Sequence, residues 1–323
     1  VSRPFEGNLM RIAVPDLISN SYFPAIAAVE LGLMREEGLD VELDLLFPVT
    51  DAARALRDGS IDLLAGAAHA PLYAADTWGG IKLVAALSHN TYWHLVVRAD
   101  SDVVDLAGLR DLRIGAAPGV DVGLEQLLIA SGVDVDAAGI TIAPVPGADA
   151  DSVSFGVTSA RALADGRIDA FWANGMGSEV AVREGAGRVV YDARRAGGPA
   201  THFTFPALMT TSRTVEEQPD VVAAAVRAVV RAQQVLREDP ERARAVGESL
   251  FPPMEAGLIA DLVRRDLPFY DATITEQDVA GMNDFATSAG LLAADAAYTD
   301  VVATRFAPLW TSGALATTDG RSA

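Results

Sequence analysis

The chain writes one phrase twice. "ALRDGSIDLLAGAAHAP" runs from Ala55 to Pro71, and "ALADGRIDAFWANGMGS" from Ala162 to Ser178. Each copy carries a helix end, a Gly turn, an Ile-Asp pair, a short apolar run and a Gly-containing bend into the next helix. A Gly just past the last periodic residue closes a helix. A short apolar run between turn signals reads as a buried strand. Two copies of this helix–turn–strand–loop phrase therefore predict two α/β units. In open α/β sheets ligands gather at the carboxyl ends of strands, beside helix N-termini. Two similar units facing each other would set two such edges across one cleft.

The surrounding sequence keeps the rhythm. "LMRIAVP" (Leu9–Pro15) predicts a first strand, Phe23 to Arg35 a helix closed by Gly38, and "LDVELDLL" a second strand by its alternation. Helix Asp51–Arg57, strand Ile61–Ala65, a helix from Ala70 and the strand "IKLVAAL" follow. "YWHLVVRADS" (Tyr92–Ser101) restarts the pattern, and "LRIGAAPG", "GITIAPVPG", "IDAFWA" and "RVVYDA" continue it. "FTFPALMTT" (Phe203–Thr211) leads out, and from Pro219 to Pro308 the pattern is helical. The class is α/β, each unit a mostly parallel sheet flanked by helices, with a helical C-terminal region.

Composition excludes several functions. With no cysteine there is no disulfide, thiolate nucleophile or Cys-based metal site. A net charge of −19 argues against nucleic acid and against an anionic membrane surface. Apolar runs are interrupted well short of the ~20 residues a membrane helix needs. "VSRPFEGNLMRIAV" has no signal-peptide pattern. The location is therefore expected to be extracytoplasmic, periplasmic or cell-surface, if a signal segment was removed, and cytoplasmic otherwise. No Walker loop, HExxH or Gly-x-Ser-x-Gly elbow occurs, and no cofactor or metal is expected.

Four phrases, in order, resemble the substrate-binding proteins of nitrate, sulfonate and taurine ABC transporters, whose fold is shared with pyrimidine-precursor synthases and desulfinases. They are "ELGLMREEGLDVEL" (Glu30–Leu43), "ALRDGSIDLLAGAAHAPLYAA", "LVVRADSDVVDLAGLRDLRIGAAPG" and "QPDVVAAAVRAVVRAQQVLREDPERARAV". The resemblance covers about Met10 to Leu250. It implies a two-lobed type II periplasmic-binding-protein fold with crossings near Leu95–Asp100 and Phe203–Thr211. Lobe one would span 10–97 plus 205–310, with the helical C-terminal region, and lobe two 98–204; residues 311–323 would form a flexible tail. The implied partners are a small-molecule ligand and an ABC permease, and the protein would be a monomer.

Carried over position by position, the resemblance implies ligand contacts from strand-end loops. These are Ser19, Asn20, Ser21 and Tyr22; Gly66, Ala67 and His69; Ser88, His89 and Asn90; Gly119 and Asp121; Trp172 and Asn174; and His202. Asp121 departs from the Ser or Thr of oxyanion binders; its charge argues against a sulfonate or nitrate, although a helix cap would also explain it. All four histidines, His69, His89, His94 and His202, fall in or beside these loops. Imidazole there suits hydrogen bonding to a ligand, acid–base chemistry or metal binding. His89 and His94, an odd number apart on a strand, face opposite sides. Tyr22, Tyr92, Trp93, Trp172, Phe203 and Phe205 could cover a flat ring, with Phe203 and Phe205 read as core or hinge.

The expected function is capture of a small organic ligand, a carboxylate or a heteroaromatic, for ABC-type import. The alternative is a cytoplasmic, Cys-independent enzyme of decarboxylase, desulfinase-like or pyrimidine-precursor-synthase-like type. Its candidates are His69 and His89 as acid–base groups and Ser19 as nucleophile.

Overall fold

The computed structural model describes residues 9–75, 77–146 and 154–311; the expected tail falls almost wholly outside them. Among the described residues ten strands run in chain order: β1 Met10–Val14, β2 Val41–Leu45, β3 Leu63–Ala67, β4 Ile81–Ala86, β5 His94–Arg98, β6 Arg113–Ala116, β7 Thr141–Ala143, β8 Ala170–Ala173, β9 Gly187–Asp192 and β10 Pro206–Thr211. They form two five-stranded sheets, ordered β2-β1-β3-β10-β4 and β7-β6-β8-β5-β9. The doubled phrase supplies β3 to one sheet and β8 to the other, each at the central position.

The likeness extends to how each central strand starts. Asp62 of the first copy accepts the backbone N–H of Arg11 at 2.8 Å, while its own N–H donates to the Arg11 carbonyl at 2.9 Å. Asp169 of the second copy does the same with Arg113, at 2.9 Å in both directions. An Ile-Asp pair after a left-handed Gly turn, Gly59 at φ 74° and Gly166 at φ 68°, thus sets the register of the central parallel pair in both sheets.

Each sheet is mostly parallel, as expected, with four strands running one way and a single strand running against them. Its one antiparallel strand, β10 or β5, is the strand that enters from the other sheet. A chain crossing between lobes arrives beside β4 or β9 without a helical crossover, and only an antiparallel neighbour can be reached so. Consequently β5, placed with lobe one by the sequence reading, pairs with β8 and β9 of the second sheet. The first crossing is the segment 87–93 ahead of it, not Leu95–Asp100. The return crossing, 193–205, runs beside it: Thr91 donates its N–H to the Thr201 carbonyl at 2.8 Å and its hydroxyl to the Thr204 carbonyl at 3.1 Å.

Two helices differ from expectation. Gly32, at φ +76°, splits the first into Phe23–Glu30 and Leu33–Glu36. The helix from Ala70 is a single 3₁₀ turn ending at Tyr73. The helical C-terminal region is bolted to the first sheet. Gln233, in helix Pro219–Glu238, donates to the carbonyls of Ala86 and Leu87 at 3.1 and 3.0 Å, and the Trp310 indole to that of Val84 at 2.8 Å. No helix among the described residues is long and apolar enough to cross a membrane.

Candidate functional site

The carboxyl ends of the two sheets face each other across a closed cleft. It is lined by Asp16, Tyr22, Phe47 and Val49 from the first lobe, Tyr92 and Trp93 from the crossing, and Phe155, Trp172 and Asn174 from the second. Phe47 and Phe155 stack across it with ring centroids 6.0 Å apart and planes 14° apart. The Tyr22 and Tyr92 hydroxyls share a hydrogen bond of 2.6 Å. The remaining space is about 40 Å³, room for a few waters, so a ring-sized solute enters only as the jaws part.

Asp16 is the centre of this site. It follows β1, whose carboxyl end points into the cleft, and its Oδ1 accepts the N–H of Ile18 at 3.0 Å. Oδ2 accepts across the cleft from the Ser154 hydroxyl at 3.0 Å and the Asn174 amide at 2.8 Å. Both donors are helix N-caps: Ser154 also accepts from the Val157 N–H, and Asn174 from the N–H groups of Met176 and Gly177. Two helix N-termini of the second lobe thus converge on one carboxylate of the first. A helix N-terminus is where the fold would hold an anion, and here the protein's own Asp16 occupies that position. Burial raises the Asp16 pKa to about 7 even though these hydrogen bonds pull it down. The same burial, helped by the hydrogen-bonded Tyr92 hydroxyl and less by Asp16, pushes Tyr22 well above its ordinary value. The Trp172 indole N–H is buried at the cleft wall and has no hydrogen-bond partner among the described residues.

The predicted site residues divide. Tyr22, Trp172 and Asn174 line the cleft. His69 does not, although its ring lies 6.0 Å from that of Trp93, which meets Trp172 at 5.8 Å with the planes tilted by 56°. It is buried, with Nε2 2.9 Å from the Gly119 carbonyl of the second lobe and Nδ1 2.9 Å from the Thr204 hydroxyl of the return crossing. A carbonyl only accepts, so Nε2 carries the proton and Nδ1 accepts. Burial lowers the His69 pKa to about 4, against the pull of the Gly119 carbonyl, and the ring is neutral. Gly119, at φ +83°, also donates its N–H to Asp121 at 3.0 Å, and Asp121 accepts from Val122 at 2.9 Å, so its carboxylate serves the helix start.

Other predicted residues face elsewhere. Asn20 donates to Asp266 at 2.6 Å, and Ser19 accepts from the N–H of Ser21 at 3.2 Å. Ser88 accepts from buried Arg194 at 2.9 Å, and Asn90 donates to the Arg194 carbonyl at 3.2 Å. Gly66 and Ala67 are the last two residues of β3, paired to β10. His89 lies 3.8 Å from both Asp271 and Asp278 of the C-terminal region; burial works against its charge, but those carboxylates outweigh it and hold the pKa up to about 9. His94 is hydrogen-bonded to Ser178 at 3.0 Å and sits 3.4 Å from Asp192. His202 lines an outer groove between helices Asp121–Ala130 and Glu276–Ser288. Phe203 stacks on Phe285 at 4.8 Å and Phe205 is buried, as core positions do. Among the described residues no cluster of side chains could hold a metal.

The sequence reading missed Asp16, Phe47, Ser154 and Phe155. Asp16 was the most findable, because it lies two residues past the first strand, at its carboxyl end.

The sequence profile of the NMT1/THI5-like family matches residues 19–243. The chain belongs to the NMT1/THI5-like family. No curated protein matches it. Among solved structures, the NMT1/THI5-like chain is similar to the alkanesulfonate-binding protein SsuA from Xanthomonas axonopodis pv. citri bound to MOPS, at 17% identity and TM-score 0.69 over 92% of this chain and 99% of that one. It is similar to the periplasmic nitrate-binding protein NrtA from Synechocystis PCC 6803, at 15% identity and TM-score 0.68 over 97% and 90%. A DszB mutant in complex with biphenyl-2-sulfinic acid matches at 17% identity and TM-score 0.66 over 95% and 100%. These likenesses identify the fold of this NMT1/THI5-like protein as that of periplasmic binding proteins, as the sequence phrases implied.

Proposed function

We propose that this protein is a solute-binding protein that closes two lobes on a small heteroaromatic molecule and delivers it to an ABC permease from outside the cytoplasmic membrane. The observation that carries the reading is Asp16, a buried carboxylate of one lobe held by the N-caps Ser154 and Asn174 of the other. A ligand entering here must replace that bridge. It needs a donor for Asp16 and an acceptor for Ser154 and Asn174, on a flat body that fits between Tyr22, Trp93, Trp172 and Phe155. A nitrogen heterocycle with an exocyclic amine has that edge. A nitrate, sulfonate or carboxylate offers acceptors only, and would bring a second negative charge beside Asp16 in a buried site.

Capture is favoured over turnover because the enzyme candidates carry no activated group. Both nitrogens of His69 are occupied, His89 is paired to carboxylates away from the cleft, and the Ser19 hydroxyl is engaged by the Ser21 N–H.

Calorimetric titration at pH 8 tests this with four probes. 2-Aminopyridine, which offers donor and acceptor on one edge, is expected to bind with a micromolar dissociation constant, on the order of −8 kcal/mol. Benzylamine (donor only), benzoate and methanesulfonate (acceptor only) are expected to give no heat. Binding of the anions with 2-aminopyridine silent would sink the reading, as would conversion of the bound probe to a product.

A further inference from the structure

Not all the residues that hold the jaws together lie in the cleft. Helix Pro253–Asp266 packs along helix Arg242–Leu250, which rests on the first lobe's helices, yet its other flank packs on helix Gly175–Arg183 of the second lobe. Arg265 stands 3.6 Å from Glu179 of that helix, and buried Glu255 stands 3.9 Å from Arg161. The helix ends at Asp266, whose side chain is 2% exposed and therefore dependent on its partners. Oδ2 takes Arg194 at 2.9 Å and the Asn20 amide at 2.6 Å; Oδ1 takes Arg195 at 3.0 Å. Burial alone would raise its pKa, but the guanidiniums of Arg194, Arg265 and Arg195 outweigh it and keep the carboxyl ionised.

Each of those partners belongs to a part that must be placed for closure. Arg194 and Arg195 begin the return crossing just beyond β9. Asn20 lies two residues before Tyr22, and its carbonyl is fixed as well, accepting from the Tyr270 hydroxyl at 2.9 Å. Gly175 leaves no room between Asn20 and the second lobe: a Cβ there would stand 3.0 Å from the Asn20 amide and 2.7 Å from Arg265.

We infer that Asp266 is a positioning residue for ligand capture, joining the Ser19–Tyr22 loop, the return crossing and the second lobe into one closed arrangement. It touches no ligand. Its carboxylate holds Asn20, and through it the ring of Tyr22, at the position the closed cleft requires. The inference rests on the binding reading above, but its test needs no ligand, so failure of one is distinguishable from failure of the other.

The test compares wild type with Asp266→Asn and Arg195→Gln in the full chain. Ligand-free small-angle scattering reports jaw opening, and hydrogen exchange reports the loop. Asp266→Asn is expected to enlarge the radius of gyration and speed exchange in residues 17–22 by about tenfold, the effect of losing a charge-assisted hydrogen bond. Strand β1 beside the loop should keep its protection. Arg195→Gln, at a partly exposed position, is expected to shift both in the same direction by less, and it decides the matter if Asp266→Asn does not fold. An unchanged radius of gyration with unchanged protection of 17–22 would overturn the inference. So would a loss of protection spread evenly over β1 and the loop, which is the mark of general destabilisation.

Discussion

Asp16 and His69 are buried ionisable groups whose titrations oppose each other. The Asp16 pKa rises from 3.8 unfolded to about 7 folded. The folded state therefore binds the extra proton between those values, and stability is lost as pH rises through them, reaching about 4 kcal/mol above pH 7. The His69 pKa falls from 6.5 to about 4. There the unfolded state binds the proton, and stability is gained as pH rises over that span, by about 3 kcal/mol. In the wild type the two slopes nearly cancel from pH 4 to 6.5. Asp16→Asn is expected to expose the His69 slope, with stability rising over that interval and exceeding wild type at pH 8. His69→Gln is expected to expose the Asp16 slope, with stability falling from pH 4 to 7. Urea unfolding at half-unit pH steps checks both, and parallel curves for the two variants would refute the assignment. His89 adds a separate signature, because its pKa is raised to about 9. Its contribution is complete below pH 6.5 and lost as pH climbs through 9, in wild type and both variants alike.

At the scale of elements, the doubled phrase is the structural repeat of the fold. Asp62 and Asp169 clamp Arg11 and Arg113 by the same backbone exchange, but only Asp169 also holds its partner's guanidinium, at 2.8 Å; that of Arg11 goes instead to Asp44 at 2.6 Å and to the Ser60 carbonyl at 3.0 Å. Asp62→Ala and Asp169→Ala are therefore both expected to destabilise, by about 1.5–3 kcal/mol each, Asp169→Ala by the larger amount because it also loses the Arg113 guanidinium, and additively in the double variant because the sites lie in separate sheets. Denaturant midpoints measure this; a neutral effect at either site would show that the repeated contact is not what fixes the register. The phrase was legible because it is local: a Gly turn, a cap and an apolar run are neighbours in sequence. The placement of β5 was not, because "HLVVR" has the same alternation whichever sheet it joins. Only the partner across the ladder decides, and that partner lies about 75 residues away. The histidines show the same limit. Their nearness to the cleft loops was readable, but their occupation by Gly119, Thr204, Ser178 and Asp271 is a matter of long-range contact. The position of Asp16 at a strand's carboxyl end was legible, but its role was not, since its donors Ser154 and Asn174 stand on the opposite lobe.

For the molecule as a whole, closure depends on how near the two rims approach, and Gly119 measures that distance. Its left-handed conformation, φ +83°, turns the loop so that the carbonyl meets His69. A Cβ added there would stand 2.9 Å from Thr50 Cγ2 and 3.2 Å from Val49 Cγ1, both on the first lobe. Gly119→Ala therefore carries two separable costs. One is local backbone strain of about 1–2 kcal/mol, present whether the jaws are open or shut. The other is a wedge between the lobes, relieved by opening. The single variant is expected to enlarge the ligand-free radius of gyration and weaken binding of 2-aminopyridine at least tenfold, because the competent closed state becomes a minority. Gly119→Ala combined with Thr50→Ala removes the nearest obstacle and leaves the strain. It is expected to recover compact scattering and most of the affinity while melting no higher than the single variant. If the double variant stays open, the loop conformation rather than the contact between rims governs closure. If the single variant scatters as wild type does, the two lobes do not move as jaws about the crossings at 87–93 and 193–205.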